Sequence, residues 1–166
     1  MKMRENMKDL YRLFTTDETL LRLLYYKPTH GNDDPIDESK PNILDMDVSE
    51  RWGIIEDRIK TTPTSENLDK EAKCRLLFYP GRRSNTDNYY LANQEIYFDV
   101  LSHFNYDGRD MRLSWICDHI NNLIFDKKIT GIGNVLFESG QPIEAPESYI
   151  GYRLRYSIGS GKNGVA

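Results

Sequence analysis

Cysteine is nearly absent from this chain of 166 residues. Cys74 and Cys117 are the only two, and no CxxC pair occurs. Their placement speaks against a disulfide framework and against a thiolate metal site. Buried, reduced thiols are expected instead, as in a protein that folds in cytoplasm. Histidine is equally scarce. His30, His103 and His119 are the whole set, and His119 directly follows Asp118, so those two do not share a helix face. No run approaches the ~20 apolar residues of a membrane span. Residues 1–14 are charged throughout and have no signal-like apolar stretch. A surplus of positive charge is missing too. The 22 Lys and Arg stand against 26 Asp and Glu, for a net charge of −4. Domains that hold DNA by general phosphate attraction are usually strongly basic.

Motif signatures are lacking as well. Asp33, Asp34, Asp37, Glu38, Asp45 and Asp47 make an acidic segment without the DxDxDG order of a calcium loop. Gly159-Ser160-Gly161-Lys162 lacks the full phosphate-loop spacing and has no helix after it. No catalytic, cofactor or metal set is therefore expected, and the chain reads as a non-enzyme.

Tyrosine is plentiful, with 11 residues against 6 Phe and 2 Trp. A rigid apolar ring with a polar tip suits surfaces that are wet before assembly and buried after it, and equally suits the rims of a sheet. Residues 3–14 read as a helix, with Met7, Leu10, Leu13 and Phe14 on one stripe. Thr15 and Glu18 have capping-box spacing before a second, leucine-rich helix that ends ahead of Pro28. Residues 28–47 are polar and aperiodic, and read as a loop or arm. A short helix follows at 48–55, with Ser49 as its cap.

Residues 74–79 read as a strand ended by Pro80-Gly81, and 82–88 as the tip of an open hairpin. The return strand lies within 89–104. Ile96, Phe98 and Val100 alternate with Tyr97, Asp99 and Leu101, so both of its faces are partly apolar. A tight loop at 105–108 should lead into a helix at 109–125, with Asp107 as cap and Leu113, Ile116, Cys117, Ile120, Leu123 and Ile124 on one stripe. A short strand at 134–138 and a loop at 139–148 precede the last strand, 149–158. There Ile150, Tyr152, Leu154, Tyr156 and Ile158 face one way, and Arg153, Arg155 and Ser157 the other. The expected fold is α+β, a mostly antiparallel sheet with helices packed on one face, N-terminal helices and a long polar arm. The expected units are N-terminal helices (1–27), arm and linker with a short helix (28–72), α+β core (73–158) and flexible tail (159–166).

The order of the second half carries a resemblance. A strand at 96–104 runs through Tyr106-Asp107-Gly108-Arg109 into the helix RLSWICDHINNLIF, then Gly131-Ile132-Gly133, a short strand and the final Tyr149-Ile150-Gly151-Tyr152. This resembles the tail terminator or tail-completion proteins of long-tailed bacteriophages and related head–tail neck proteins, over roughly residues 73–158. The resemblance implies a small α+β subunit without enzymatic activity or cofactor. It implies a homo-oligomeric ring, commonly a hexamer, in the neck or tail of the virion, made in the host cytoplasm. Its partners would be other neck and tail-tube proteins. DNA would pass through the channel without sequence-specific binding, and no membrane is involved.

Contacts with copies or partners are expected from Arg82, Arg83, Tyr89 and Tyr90 near the hairpin tip and from Arg153 and Arg155 on the last strand. Ile36, Ile43 and Leu44 are expected to dock the arm on a neighbour. Two other readings compete. One is a small adaptor or regulatory protein that binds a partner through its sheet edge or acidic arm. The other is an α+β enzyme of nuclease type with ungrouped carboxylates.

Overall fold

Asn6, Leu10 and Phe14 recur every fourth residue and form the buried ridge of α1 (Met3–Thr15) in the computed structural model, which describes residues 1–163. α2 (Glu18–Tyr25) buries Leu20, Leu21, Leu23 and Leu24 on one broad face and keeps Glu18, Thr19 and Arg22 on the other. Its cap differs from the expected Thr15 and Glu18 box. Asp17 accepts the Leu20 N–H at 2.7 Å, while the Thr15 hydroxyl donates back to the Tyr11 carbonyl at 2.7 Å and closes α1. A single carboxylate at the cap position serves the orphan amide directly.

The arm is bound to its own chain. The Arg22 guanidinium donates to the Asp37 carbonyl at 3.1 Å, and Lys40 Nζ meets Asp33 at 2.5 Å. A 3-10 turn, Ile43–Asp45, drives Ile43 fully into the core, with Leu44 packed beside it. Ile43 is therefore not free to dock on a neighbour, contrary to expectation. α3 (Val48–Arg58) follows and is capped by Asp47 in place of Ser49, because the carboxylate accepts the Ser49 N–H.

β1 (Ile59–Lys60) is too short to show a period. It lies parallel to β2 (Cys74–Asn85), which pairs antiparallel with β3 (Leu91–His103). β2 does not end at Pro80-Gly81. A bulge between Pro80 and Arg83 absorbs the proline's missing donor, and the strand runs on to Asn85. A Cβ on Gly81 would stand 2.3 Å from the Tyr97 ring, so any side chain there would push that ring aside.

The expected helix at 109–125 is two helices. α4 (Phe104–Asp110) starts where a loop was expected, capped by His103, whose Nδ1 accepts the Asn105 N–H at 3.0 Å. Met111 then turns left-handed at φ 55°, and α5 (Arg112–Ile124) sets off in a new direction. Asp107 still serves α5, accepting the Leu113 N–H at 2.9 Å. β4 (Ile132–Ile143) and β5 (Tyr149–Gly161) complete the sheet. β4 takes in the first half of the expected loop. β5 takes in residues 159–161 of the expected tail, of which residues 164–166 lie outside the described residues.

Strand order is β1-β2-β3-β5-β4, antiparallel except for the first pair. The expected α+β class with a mostly antiparallel sheet is what forms. On one sheet face Leu76, Phe78, Ile96, Phe98, Val100 and Tyr156 join residues of α1, α2 and α5 in a single core. Phe14 meets Phe78 and Phe98 edge-on at 5.4 and 5.6 Å. Ile116, Ile120 and Ile124 of the expected stripe are fully buried there, whereas Leu113, Cys117 and Leu123 sit at its margin. A smaller cluster of Leu68, Leu77, Leu101 and Tyr149 lies apart from it.

Candidate interaction surface

Strand alternation sends Arg153 and Arg155 of β5 to the sheet face opposite the main core, where Asp99 and Glu95 of β3 also point. Arg153 grips Asp99 with two hydrogen bonds, 2.7 and 3.0 Å, and reaches the Tyr79 hydroxyl at 2.8 Å. Tyr79 in turn donates to Asp99 at 2.5 Å. Burial, and then the bond to Asp99, push the Tyr79 hydroxyl up to about 12. The same carboxylate raises the Arg153 pKa, so its positive charge is permanent. Arg155 bonds Glu95 at 2.7 Å and Ser139 at 3.2 Å. The Tyr97 ring lies 5.0 and 5.8 Å from the two guanidinium carbons. Both arginines are thus paired inside the monomer instead of standing free for a neighbour's acids. The pairing leaves two loose ends. Glu95 Oε2 and Arg155 Nε are buried and have no partner among the described residues.

The hairpin tip is a second surface. Tyr89 and Tyr90 are largely exposed, pack edge-on at 5.4 Å, and Lys162 Nζ stands 5.4 Å from the Tyr89 ring. Arg83 is spent on structure, donating to Ser160 at 3.0 Å and to the Gly161 carbonyl at 2.9 Å. Arg82 is exposed beside it. Arg82, Arg83 and Lys162 surround one shallow hollow of about 470 Å³. The geometry therefore brings the tip residues together and keeps them apart from Arg153 and Arg155. Ile36 is partly exposed on the arm.

Sequence reasoning missed a third surface. β4 is the outer strand of the sheet, twelve residues long, and Val135 alone among them is buried. Ile132, Leu136 and Phe137 are each about half exposed. Phe137 meets Tyr156 edge-on at 5.6 Å and forms one wall of a 400 Å³ groove, with Leu113 and Cys117 of α5 on the other side. A strand wet on both faces shows no alternation, so only the Leu136-Phe137 pair was available as a signal.

Elsewhere Asp57 gathers Lys73, Arg75 and Arg58 at 2.7, 3.2 and 3.3 Å, an ion-pair network whose three cations are buried and which ties α3 to β2. His119 Nε2 bonds Asp17 at 2.7 Å. Burial works to raise the Asp17 pKa, but the bonds from His119 and the Leu20 amide outweigh it and hold it below the ordinary range. Burial pushes the Cys74 thiol up to about 11 and the Cys117 thiol up to about 12, which makes both poor nucleophiles. Among the described residues no three His, Cys, Asp or Glu side chains gather as metal ligands. Among the described residues no helix is long and apolar enough to cross a membrane.

The chain is similar to the SPbeta prophage-derived uncharacterized protein YomW of Bacillus subtilis (strain 168). The two are 29% identical over 168 residues, covering 95% of this chain and 97% of the relative. The YomW family model matches residues 17–158, from the cap of α2 into β5, and the chain belongs to that family.

Proposed function

We propose that this protein is a structural subunit of a phage head–tail neck, forming a closed ring that terminates the tail tube or joins it to the head connector. The prophage origin of the relative supports a phage role. The observation that carries assembly is β4. β4 is a twelve-residue outer strand with three half-exposed large apolar side chains, which make a hydrophobic rim. Its backbone edge is partly closed, because Val135 bonds Asp126 and Lys127 and two bulges and Pro142 interrupt the ladder. The apolar rim is therefore what a protein neighbour covers with its own apolar side chains. The exposed tyrosines of the hairpin tip supply a second contact of the kind enriched at interfaces. The subunit works by shape and contact, without catalysis, cofactor or sequence-specific reading of DNA. It acts in the virion after synthesis in the host cytoplasm.

Native mass measurement of the full chain tests the ring: a single closed oligomer is expected, and a mass fixed at the monomer overturns it. Replacing Phe137 by Lys should cost ~0.5–1.5 kcal/mol in unfolding for the lost contact with Tyr156, leave the chain folded, and weaken assembly. In a phage, loss of the gene should give unjoined heads and tails, or tails of uncontrolled length. Normal virions would remove the neck role.

A further inference from the structure

A ring of more than two copies needs a contact between unlike surfaces, each copy offering one to the next. Two surfaces of this molecule complement one another and are not joined within the monomer. The first is an open groove of about 850 Å³ between α1 and the α3–β1 segment. Arg4, Lys8 and Arg12 follow each other at helical spacing and line one side, and Lys60 stands with them in the lining. Met7, Tyr11 and a partly exposed Trp52 give the groove an apolar floor. Glu56 is the one carboxylate in the lining, against four cations. The α1 cations do touch Glu5 and Asp9 at 3.4 to 4.0 Å, but these pairs are well exposed and weak, so their charge remains available.

The second surface is the loop at 34–38, Asp-Pro-Ile-Asp-Glu. Ile36 is 37% exposed, an apolar tip set among exposed Asp34, Asp37 and Glu38. The loop is held in shape. Pro35 is buried, Lys40 Nζ donates to the Asp34 carbonyl at 2.9 Å, and Arg22 holds the Asp37 carbonyl. A pre-shaped loop loses little conformational freedom on docking. No residue of this loop lines the groove of its own chain.

We infer that the groove between α1 and α3 receives the 34–38 loop of a second copy of this chain, with Ile36 on the aromatic floor and its carboxylates against Arg4, Lys8, Arg12 and Lys60. This deepens the ring reading and rests on it for the partner's identity. An anionic loop with an apolar centre matches a basic rim around an apolar floor. A nucleic-acid backbone would match the basic rim alone and leave the apolar floor of Met7, Tyr11 and Trp52 unfilled.

Two full-length variants test the contact, Lys8→Glu with Arg12→Glu in the groove and Glu38→Lys in the loop, where Asp34 and Asp37 are kept because their carboxylates accept the Ile36 and Ser39 amides and shape the loop. All three sites are on the surface, and thermal melts check that both variants fold. Each variant alone sets like charges against each other, so self-association should weaken about tenfold or more by sedimentation. Mixed, the two are complementary again and should assemble into particles of alternating composition. Variants that assemble alone like the wild type overturn the contact and leave a wild-type ring standing. Variants that fail alone and also fail when mixed overturn it too. Rescue by mixing into open chains without closure supports the contact and removes the ring. A wild-type chain that stays monomeric at every concentration overturns both. Should a DNA oligonucleotide bind the wild type and be lost with the groove variant while assembly is untouched, the groove is a nucleic-acid surface and the inference falls.

Discussion

Arg153 and Arg155 show how a side chain's role depends on its neighbour across the sheet. Strand alternation alone makes them exposed charges, and reversing them then looks harmless to the monomer. The register sets Asp99 opposite Arg153 and leaves Asp99 only 4% exposed. Arg153→Glu therefore puts a second carboxylate beside a buried one and should cost ~3–5 kcal/mol in urea unfolding, the range for removing one partner of a buried ion pair. A change inside experimental error would mean the pair opens readily to solvent. Register was not legible in the sequence, because neither strand carries a mark of which residue faces which. His103 carries a pH signature. Its Nδ1 accepts the Asn105 amide, which requires the neutral ring. Burial first, and Lys27 second, lower its pKa from the ordinary 6.5. The folded state thus binds fewer protons than the unfolded state between the two values. The stabilisation is complete above 6.5 and is lost as pH falls through 6.5 toward the folded pKa. His103→Asn keeps an acceptor at the cap without a titrating ring. The slope of unfolding free energy between about pH 7.5 and 5.5 should flatten in that variant, and an unchanged slope would assign the pH dependence to other groups.

At the scale of elements, the joint between α4 and α5 is the feature the sequence concealed most. A left-handed residue is usually glycine or asparagine, and here it is Met111. What fixes the joint is Arg112, fully buried, which bonds Asp110 and donates to the Leu23 and Tyr26 carbonyls at 2.6 and 2.7 Å. These are orphan acceptors at the end of α2, so one guanidinium closes one helix and aims another. Arg112→Met should cost ~3–5 kcal/mol, because it strands a carboxylate and two carbonyls in the interior. Equilibrium unfolding with an unchanged m-value would show it; a loss below ~1 kcal/mol would mean water reaches Asp110. The apolar stripe of α5 was legible, since three isoleucines at spacing four can only form one ridge. Ile120→Ala should cost ~2–5 kcal/mol by calorimetry or urea. β3 and β5 were legible for the same reason, each having at least one strictly alternating apolar face. β4 lacked that signal because it lies at the sheet edge.

The whole molecule places its arm differently from what composition suggests. Residues 28–47 have few apolar side chains, which reads as a segment unable to pack alone. Docking needs only one good anchor, and Ile43 provides it by entering the core that α1, α2 and α3 already form. The arm is thus in two parts with different fates. Around Ile43 the backbone bonds from Asp45 to Asn42 and from Met46 to Ile43 close a turn over a buried side chain. In the 34–38 loop the amides bond only locally, Ile36 to the Asp34 side chain and Asp37 to the Asp34 carbonyl, on the surface. Surface bonds of that kind open at little cost, whereas a turn over a core anchor opens only with its element. Hydrogen exchange on free and assembled protein should separate the two. Protection at Asp45 and Met46 should be high and the same in both states. Amides of the loop should exchange fast in the free chain and slow by about tenfold or more once it sits in a neighbour's groove. Equal exchange of the loop in both states would place it outside the contact, and fast exchange at Asp45 in the free chain would mean that Ile43 leaves the core and that the arm is ordered by assembly after all.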